Sequence, residues 1–399
     1  MKAEFTQVIN SKRVILRLPF DVRWLMQAVY KAKNMNSTKI IHTSDLHLGT
    51  TFKGLGDKSK LHRIDCQNVL SNIVDLCIKE KVNALLIAGD LFDSSEPQKS
   101  LVKSVINEME KLKDEKISVF ISSGNHDPYK KGSVWLEYKF PSNVTIFSST
   151  DLEPKEIDDM SIYGLAYTND TKEPLKGFKP EDSETFKVGL VHGSTTDIKW
   201  DEEPEAGYRR ITTPEIDSCK LDYLALGHFH DMLEIKSKVK CFYSGCPEPL
   251  TFKNKKDCCV LLVTYSQGNV TVKPIKTNIR NFETLEVDVT SFESDMELRK
   301  LLEKNVDENK ILRLVLNGSP SLDFNLDIEL LEKEFESRCY FLRIIDNVHL
   351  PDNLSEDETI RGHFIKLIRV EINKEKDSEK KKRLENALRL GIGYLDKKL

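Results

Sequence analysis

Five short apolar runs between residues 39 and 231 each finish in polar residues. They are "KIIHTSDLHLG", "VNALLIAGDLFD", "SVFISSGNHD", "KVGLVHGS" and "LDYLALGHFHD". Each run has the length of a buried strand, and helical patterns over residues 69–77 and 102–112 separate the first three. Strands that alternate with helices predict parallel pairing with right-handed crossovers, hence a layered α/β sheet. The polar endings would then meet at the carboxyl edge of that sheet, where ligands gather.

The pattern changes beyond residue 231. Alternating runs around the turn "SQGN" predict a β-hairpin that completes the first domain. From about residue 280 the order is strand, helix, strand, helix, strand, which predicts a small α/β unit. From about residue 355 two apolar helical stripes flank the charged run "KEKDSEKKKR", with Ile360, Phe364, Leu367 and Ile368 in the first and Leu384, Leu388 and Leu395 in the second. Taken alone, this pattern is typical of a helical pair packed on the body of a protein.

These patterns divide the chain into four parts: an N-terminal extension (1–37), a main domain (38–278), a small α/β domain (279–350) and a helical tail (351–399). The extension contains "RVILRLPFDVRWLMQAVYKAK", which is basic and apolar. One interpretation is an amphipathic helix that contacts a partner or a surface. We favour the other interpretation, in which these residues are a lineage-specific extension or result from the choice of an upstream start.

Composition narrows the class of protein without identifying it. Lys and Arg total 60 against 64 Asp and Glu, so the net charge of −4 does not by itself indicate a nucleic-acid or membrane partner. No apolar run approaches the roughly 18 residues of a membrane span, and the N-terminus lacks a signal-peptide pattern. We therefore expect a soluble, cytoplasmic protein without a membrane partner. The eight cysteines show no paired C-x-x-C spacing and are interpreted as reduced core thiols.

The polar endings carry the chemistry. Each ending alone has an ordinary explanation as a helix cap, a turn or a buried structural histidine. Together they hold five of the nine histidines in the chain, at positions 47, 126, 192, 228 and 230. Mixed carboxylate, imidazole and amide ligands suit divalent ions such as manganese, iron or zinc. The candidate ligands are enough for two ions that share one carboxylate; they are Asp45, His47, Asp90, Asn125, His192, His228 and His230.

The ordered motifs D-x-H, G-D, G-N-H-D, H-G and G-H-x-H resemble the calcineurin-like metallophosphoesterase superfamily. Within it, "HTSDLHLG", "AGDLFDSSEP", "SGNHDP" and "LALGHFH" followed by "YSGCPEP" resemble SbcD-type nucleases over residues 39–275. This resemblance implies a layered β-sandwich flanked by helices, a small α/β capping domain and a helical tail.

The resemblance also implies a binuclear centre. One ion would be held by Asp45, His47 and His230, the other by Asn125, His192 and His228, and Asp90 would bridge them. Manganese is the usual metal of the family, with Fe²⁺, Zn²⁺ or Mg²⁺ as alternatives. His126 would stabilise the transition state or protonate the leaving oxygen. Asp127 either orients His126 or is a turn residue.

The function implied is a metal-dependent DNA nuclease, a 3′–5′ exonuclease and an endonuclease, which repairs double-strand breaks with an SMC-like coiled-coil ATPase of the SbcC type. The tail would dock on that ATPase, the capping domain would help to hold DNA, and homodimers are common in the family. Two alternatives stay open: a small-molecule or nucleotide phosphodiesterase or phosphoprotein phosphatase, and a non-catalytic DNA or ATPase adaptor. The complete ligand set argues against the adaptor.

Two residues depart from the family pattern. Some members carry a second histidine, implicated in exonuclease chemistry, where this chain has Asp93 in "GDLFD". We interpret Asp93 as a mark of the branch. Cys246 in "YSGCPEP" stands where a hydroxyl residue is more usual, and we interpret it as a packing variant.

Overall fold

The computed structural model describes residues 4–9, 12–17, 37–168, 173–196, 210–253, 258–320, 324, 326–349 and 358–396. Its strands in chain order are β1 (Glu4–Ile9), β2 (Lys12–Arg17), β3 (Thr38–Thr43), β4 (Ala84–Ala88), β5 (Ser118–Ser122), β6 (Val144–Ile146), β7 (Glu153–Ile157), β8 (Met160–Gly164), β9 (Phe186–His192), β10 (Ser194–Thr195), β11 (Arg210–Ile211), β12 (Tyr223–Gly227), β13 (Leu233–Ile235), β14 (Lys240–Tyr243), β15 (Cys259–Ser266), β16 (Asn269–Lys276), β17 (Asn281–Asp288), β18 (Lys310–Asn317) and β19 (Phe341–Asp346). Its α-helices are α1 (Ser59–Glu80), α2 (Lys99–Asp114), α3 (Val134–Glu137), α4 (Thr213–Ser218), α5 (Asp295–Asn305), α6 (Ile328–Phe335), α7 (Ile360–Lys374) and α8 (Ser378–Asp396).

The first large sheet has the strand order β16-β15-β3-β4-β5-β6. Strands β3 to β6 run parallel, with Ile41 opposite Leu85 and Leu85 opposite Val119. The parallel pairing predicted from the alternation of strands and helices is confirmed. β15 pairs antiparallel with β3 and with β16, so the predicted hairpin forms one edge of this sheet.

The second large sheet has the order β13-β14-β12-β9-β8-β7, and its neighbours β9 and β12 are parallel, with His192 opposite Gly227. The expectation that all five apolar runs build one sheet is therefore wrong. Three of the runs lie in the first sheet and two in the second. The apolar pattern does not show whether the five strands lie in one sheet or in two, because a strand that is buried on both faces has the same continuous apolar sequence in either case.

The two sheets share one apolar core. The first sheet contributes Ile40, Leu86 and Phe120, and the second contributes Val188 and Tyr223, all buried in one contiguous cluster. Burying such a side chain contributes roughly 1.5–3 kcal/mol. On the outside, α2 has an apolar stripe of five buried residues. The result is the layered sandwich with flanking helices that the resemblance implied.

One polar contact crosses this core between β3 and β12. His42 Nδ1 lies 2.9 Å from the Tyr223 hydroxyl, and His42 Nε2 lies 3.2 Å from the carbonyl oxygen of Leu226. Because a carbonyl only accepts, Nε2 carries the hydrogen and Nδ1 accepts from Tyr223. Burial lowers the pKa of His42 to about 3. A neutral imidazole thus joins the strands that lead to Asp45 and His228.

The chain divides into two compact units. The first contains both large sheets and consists of Met1–Thr50, Cys66–Glu248 and Lys256–Thr277. The second consists of Thr51–Asp65, Pro249–Lys255 and Asn278–Leu399. Residues 51–65 and 249–255 thus group with the small domain, although the sequence pattern gave no sign of this.

The small domain contains a parallel three-stranded sheet in the order β17-β18-β19. Its strands and helices follow the predicted order, with α5 and α6 between successive strands. Leu298 and Leu302 of α5 and Phe335 of α6 are buried in its core with Leu314 of β18. The Asp327 side chain caps α6 by accepting the Leu330 N–H.

Within the second unit, Arg280 joins residues 51–65 to the small sheet. Its Nε donates to Asp65 Oδ2 over 2.9 Å, and its Nη1 donates to Asn309 Oδ1 over 2.9 Å. The guanidinium also lies 4.0 Å from the centre of the Tyr340 ring. The side chains of Arg280 and Asp65 are only 17% and 12% exposed, so the ion pair is largely shielded from water.

The tail forms two helices, α7 and α8, as the apolar stripes predicted. Their shared core contains Ile365, Ile372, Leu388 and Ile392, with Phe364, Ile368 and Leu384 against it. Ile360 and Leu367 were expected on this packed face but are 79% and 68% exposed. At 100° per residue the buried stripe of α7 runs through 365 and 372, which places 360 and 367 on the outer side.

The N-terminal extension begins with a hairpin in which Glu4 of β1 lies opposite Arg17 of β2. The start of the segment considered as an amphipathic helix is therefore a strand, and its remainder, residues 18–33, lies outside the described residues. Among the residues that are described, no helix is both long and apolar enough to span a bilayer.

Candidate metal centre

Every candidate ligand stands at or just beyond the carboxyl end of a strand. Parallel pairing brings the ends of β3, β4 and β5 together, and the same holds for β9 and β12. The loops after β3 and β4 continue to pair, since Asp45 N–H donates to Gly89 O and His47 N–H to Asp90 O, each over 3.0 Å. The two sheets meet at this edge: a Cβ on Gly227 would lie 1.8 Å from Ala88 O, so only glycine fits there.

Asp45, His47 and His230 form the first ligand cluster. His47 Nε2 lies 3.2 Å from His230 Nε2, and His230 Nε2 lies 3.9 Å from Asp45 Oδ1. One ligand atom from each residue fits within a 4.8 Å span. Asp45 and His47 follow the first sheet and His230 follows the second, so the cluster draws on both.

Asn125, His192 and His228 form the second ligand cluster. Asn125 Oδ1 lies 2.8 Å from His192 Nε2 and 3.1 Å from His228 Nδ1. Burial lowers the pKa of His228 to about 3, which leaves its imidazole neutral and able to act as a ligand. Again one ligand comes from the first sheet and two come from the second.

Asp90 lies between the two clusters. Its Oδ2 is 3.6 Å from His47 Nε2 and 3.4 Å from His192 Nε2. Its other oxygen, Oδ1, accepts the backbone N–H of His126 over 2.8 Å. This bond fixes the carboxylate so that one oxygen faces a ligand atom of each cluster.

The hydrogen-bonding pattern fits a cation. His192 Nδ1 lies 2.9 Å from Ala88 O, which only accepts, so Nδ1 carries a hydrogen and the lone pair of the neutral ring is on Nε2. That lone pair faces Asp90 Oδ2 and Asn125 Oδ1, so three hydrogen-bond acceptors (one nitrogen and two oxygens) face one another. Burial alone would lower the pKa of His192, but the facing Asp90 carboxylate raises it to about 9. The position therefore attracts positive charge, and its nitrogen and oxygen ligands suit a first-row divalent ion.

The two histidines of "GHFH" belong to different clusters. In a continuous strand, residues two apart direct their side chains to one face, but β12 ends at Gly227 and the backbone of His228 has a φ of 105°. Left-handed backbone also occurs at Asp45, His47 and Asp90, with φ of 52°, 43° and 50°. After Gly227 the chain therefore leaves the extended conformation, and His228 and His230 reach different clusters. Between the histidines, Phe229 packs against Tyr243.

His126 lies beside the first ligand cluster. Its ring centre is 4.5 Å from that of His47, edge to face. The side chain is 43% exposed, so a bound substrate can reach it. A hydrogen bond to Asp93 raises the pKa of His126, which favours the protonated form.

Asp93 is the residue that the sequence patterns did not identify as functional. Its Oδ1 lies 3.1 Å from His47 Nδ1 and 3.5 Å from His126 Nδ1. A carboxylate on Nδ1 keeps the Nε2 lone pair of His47 free to bind a metal. The available signal was the spacing in "GDLFD", which places a second carboxylate three residues after Asp90.

Asp127 is buried and binds the backbone. Its Oδ2 accepts the Phe92 N–H over 3.0 Å, and its Oδ1 accepts the Gly124 N–H over 2.7 Å. Burial and the nearby Asp90 carboxylate raise the pKa of Asp127 to about 7. These contacts hold the loop that carries Asn125, whereas the carboxylate beside the His126 ring is Asp93.

Comparison with known proteins identifies one matching family and several similar chains. The calcineurin-like phosphoesterase family matches residues 38–232. The DNA double-strand break repair protein Mre11 of Sulfurisphaera tokodaii is 24% identical over 360 residues, covering 84% of this chain and 89% of that protein. The Mre11 of Saccharolobus solfataricus is 25% identical over 339 residues, covering 79% and 85%.

A third relative comes from a bacterium. The uncharacterized metallophosphoesterase YhaO of Bacillus subtilis is 27% identical over 351 residues, covering 81% of this chain and 85% of that protein. Together with the ligand clusters, the family match establishes that residues 38–232 are a calcineurin-like metallophosphoesterase domain, in a family of metal-dependent hydrolases of phosphoester bonds.

Proposed function

We propose that this protein is a two-metal DNA nuclease of the SbcD and Mre11 type, which hydrolyses phosphodiester bonds as a 3′–5′ exonuclease and an endonuclease. The observation that carries the proposal is the position of Asp90 Oδ2, 3.6 Å from His47 Nε2 and 3.4 Å from His192 Nε2, between two ligand clusters. Relatives named as double-strand break repair proteins match most of the chain, which supports DNA as the substrate.

In this proposal the first ligand cluster holds one ion, the second ligand cluster holds the other, and Asp90 is shared. Manganese is the proposed metal, because carboxylate, imidazole and amide ligands together suit it; Fe²⁺, Zn²⁺ and Mg²⁺ are the alternatives. When bound, two adjacent divalent ions neutralise phosphate oxygens and activate water.

The protein's own groups complete the chemistry. His126, exposed and favoured in its protonated form, donates a proton to the leaving oxygen or stabilises charge that builds on the phosphate. Asp93 is a positioning residue, because it holds Nδ1 of both His126 and His47. For Asp127 we propose the role of holding the Asn125 loop through its bonds to Phe92 and Gly124.

The nuclease proposal is tested by incubating purified protein and Mn²⁺ with linear duplex DNA labelled at the 3′ or the 5′ end. We expect stepwise release from the 3′ end. His126→Ala should abolish cleavage while two Mn²⁺ per chain remain bound. The control His363→Ala changes an exposed histidine of the tail and should cleave normally. DNA that stays intact with two Mn²⁺ bound would contradict the proposal.

The match to YhaO, a metallophosphoesterase without a stated substrate, leaves room for a second candidate, a phosphodiesterase acting on a nucleotide or another small diester. It keeps the metal centre and changes the substrate. Brisk hydrolysis of a cyclic nucleotide or bis(p-nitrophenyl) phosphate, with no DNA cleavage under the same conditions, would favour it over the nuclease. Phosphoprotein phosphatase activity is assayed in parallel on a phosphopeptide.

For the tail we propose docking on a coiled-coil ATPase. Ile360, Leu367 and Val370 stand on the outer side of α7 and are 79%, 68% and 49% exposed. Exposed apolar residues seven and three positions apart fit the groove or coiled coil of a partner. Binding is tested by pull-down with a purified long coiled-coil ATPase of the SbcC type. Leu367→Glu should abolish binding and Lys366→Glu, at a neighbouring exposed position, should not; equal binding by both variants would contradict docking.

A further inference from the structure

Residues Ser244, Gly245 and Cys246, called here the 244–246 loop, follow β14 directly and are not candidate ligands. Ser244 and Cys246 are completely buried. The loop reaches two different members of the first ligand cluster: Ser244 reaches Asp45 through the Ser44 hydroxyl, and Cys246 contacts the backbone of His230 directly.

A chain of two hydroxyls leads from the loop to Asp45. Ser44 Oγ donates to Asp45 Oδ2 over 2.5 Å and lies 2.8 Å from Ser244 Oγ. Since the carboxylate takes the Ser44 hydrogen, Ser244 is the donor to Ser44 Oγ; its other acceptor, Gly245 O, is farther away at 3.2 Å. Buried hydrogen bonds in series polarise one another. Ser244 therefore restrains Oδ2 while Oδ1 faces His230.

The other end of the loop holds the backbone of His230. The N–H and the thiol of Cys246 both donate to His230 O, over 3.0 and 3.3 Å. Cys258 Sγ lies 3.8 Å from Cys246 Sγ. Gly245 permits this approach: its φ is +73°, and a Cβ there would lie 2.8 Å from His230 O and 2.7 Å from Met232 N.

Other groups hold the second ligand cluster. His192 Nδ1 donates to Ala88 O, and Asp127 holds the Gly124 N–H beside Asn125. The two clusters thus have separate supports, although the His228 N–H also donates to the Asp45 carboxylate. A change in the 244–246 loop should therefore shift Asp45 and His230 more than it shifts the second ligand cluster.

We propose that Ser244 and Cys246 are positioning residues that set the affinity of the first ligand cluster for its ion. This inference rests on the proposed metal centre but is independent of whether DNA is the substrate. Outer groups that orient metal ligands typically change affinity by about 10- to 100-fold. The alternative is that the loop merely fills the core, in which case its variants lose stability without selective loss of one ion.

The test measures Mn²⁺ binding to the full chain by electron paramagnetic resonance of free Mn²⁺, with bis(p-nitrophenyl) phosphate hydrolysis as a second readout. Ser244→Ala and Cys246→Ala should weaken one of the two binding events about 10-fold and leave the other unchanged. Cys246→Ser keeps a donor to His230 O and should retain the affinity. Ser161→Ala is the matched control, because Ser161 is an equally buried hydroxyl bonded to Glu156 in the same unit.

The inference is overturned if Ser244→Ala and Cys246→Ala bind both ions as the wild type does, or if both events weaken equally. If Ser244→Ala does not fold, the comparison of Cys246→Ala with Cys246→Ser decides: equal affinities overturn the inference and a selective loss in alanine alone supports it. A wild-type protein that binds fewer than two Mn²⁺ refutes the proposed metal centre itself.

Discussion

Asp93 Oδ1 lies 3.5 Å from Nδ1 of His126, the exposed imidazole beside the metal centre. The same oxygen is 3.1 Å from His47 Nδ1, so one carboxylate orients a candidate ligand and a candidate proton donor. Asp93 stands three residues after Asp90, so "GDLFD" supplies both carboxylates.

Asp93→Asn should reduce kcat about 10- to 100-fold, because the neutral amide supports the protonated His126 less well and holds His47 less firmly. Two Mn²⁺ should remain bound. The measurement is steady-state hydrolysis of bis(p-nitrophenyl) phosphate together with Mn²⁺ stoichiometry. Asp158→Asn, in an exposed turn whose φ of 48° suits asparagine, is the control. Unchanged kcat in Asp93→Asn would refute the positioning role.

Removal of the metals should lower the thermal stability of the first unit. Each cluster takes ligands from both large sheets, so each ion would cross-link the two halves of the sandwich. An ion at 100 times its Kd stabilises the folded state by about 2.7 kcal/mol, which corresponds to a Tm shift of roughly 5 °C or more. Calorimetry with and without a chelator measures the shift. Asp90→Asn, which removes the shared ligand, should respond much less to the chelator.

Acid should weaken the fold through His42. The folded protein keeps His42 neutral down to about pH 3, whereas the unfolded chain protonates near the ordinary pKa of 6.5. The unfolded state therefore binds more protons on acidification, and the free energy of unfolding falls as pH drops through this window, by up to about 1.4 kcal/mol per pH unit.

His42→Gln should reduce this slope, since glutamine can still accept from Tyr223 and donate to Leu226 but does not titrate. Urea unfolding between about pH 7.5 and 5 measures the slope for both proteins. Equal slopes in the variant and the wild type would show that other groups account for the acid sensitivity.

Loss of Arg280 should destabilise the second unit. The Arg280→Ala variant leaves Asp65 without its ion-pair partner in a largely shielded position, and breaking such a pair costs about 3 kcal/mol. Arg338→Ala breaks a pair with Glu303 whose partners are 48% and 55% exposed, and it should cost under about 1 kcal/mol. Urea unfolding measures both. A similar small loss in the two variants would contradict a structural role for Arg280.

Much of the architecture follows from local pattern. The parallel order of β3, β4 and β5 and the alternation in the small domain were predictable, because short apolar strands joined by amphipathic helices allow few other connections. The partition of five strands between two sheets was not predictable, because pairing partners are set by contacts distant in sequence. The grouping of residues 51–65 with the second unit was unpredictable for the same reason, because it depends on contacts with Arg280 and Tyr340, which lie far along the chain.

Residue type and position at strand ends identified the candidate ligands. The spacing of these residues in the sequence did not show which of the two clusters each one joins. Alternation put His228 and His230 on one face, while the structure separates them where β12 ends. Asp93 was interpreted as a mark of the branch, because a carboxylate in a loop is ordinary until its partners are known. Leu367 was assigned to the packed side of α7 because one helical stripe does not show which of its edges is covered.

The left-handed backbone of Asp45, His47, Asp90 and His228 has a consequence for how this protein can be altered. Such a conformation costs a residue other than glycine roughly 1–2 kcal/mol, and strain of this kind persists only where the surroundings enforce it. His228→Gly should therefore lose a metal ligand yet unfold no more readily than the wild type when metal is absent, whereas truncating a core side chain costs about 2–5 kcal/mol. The candidate metal centre thus lies in strained backbone, and a variant that lacks one of its ligands can be as stable as the wild type.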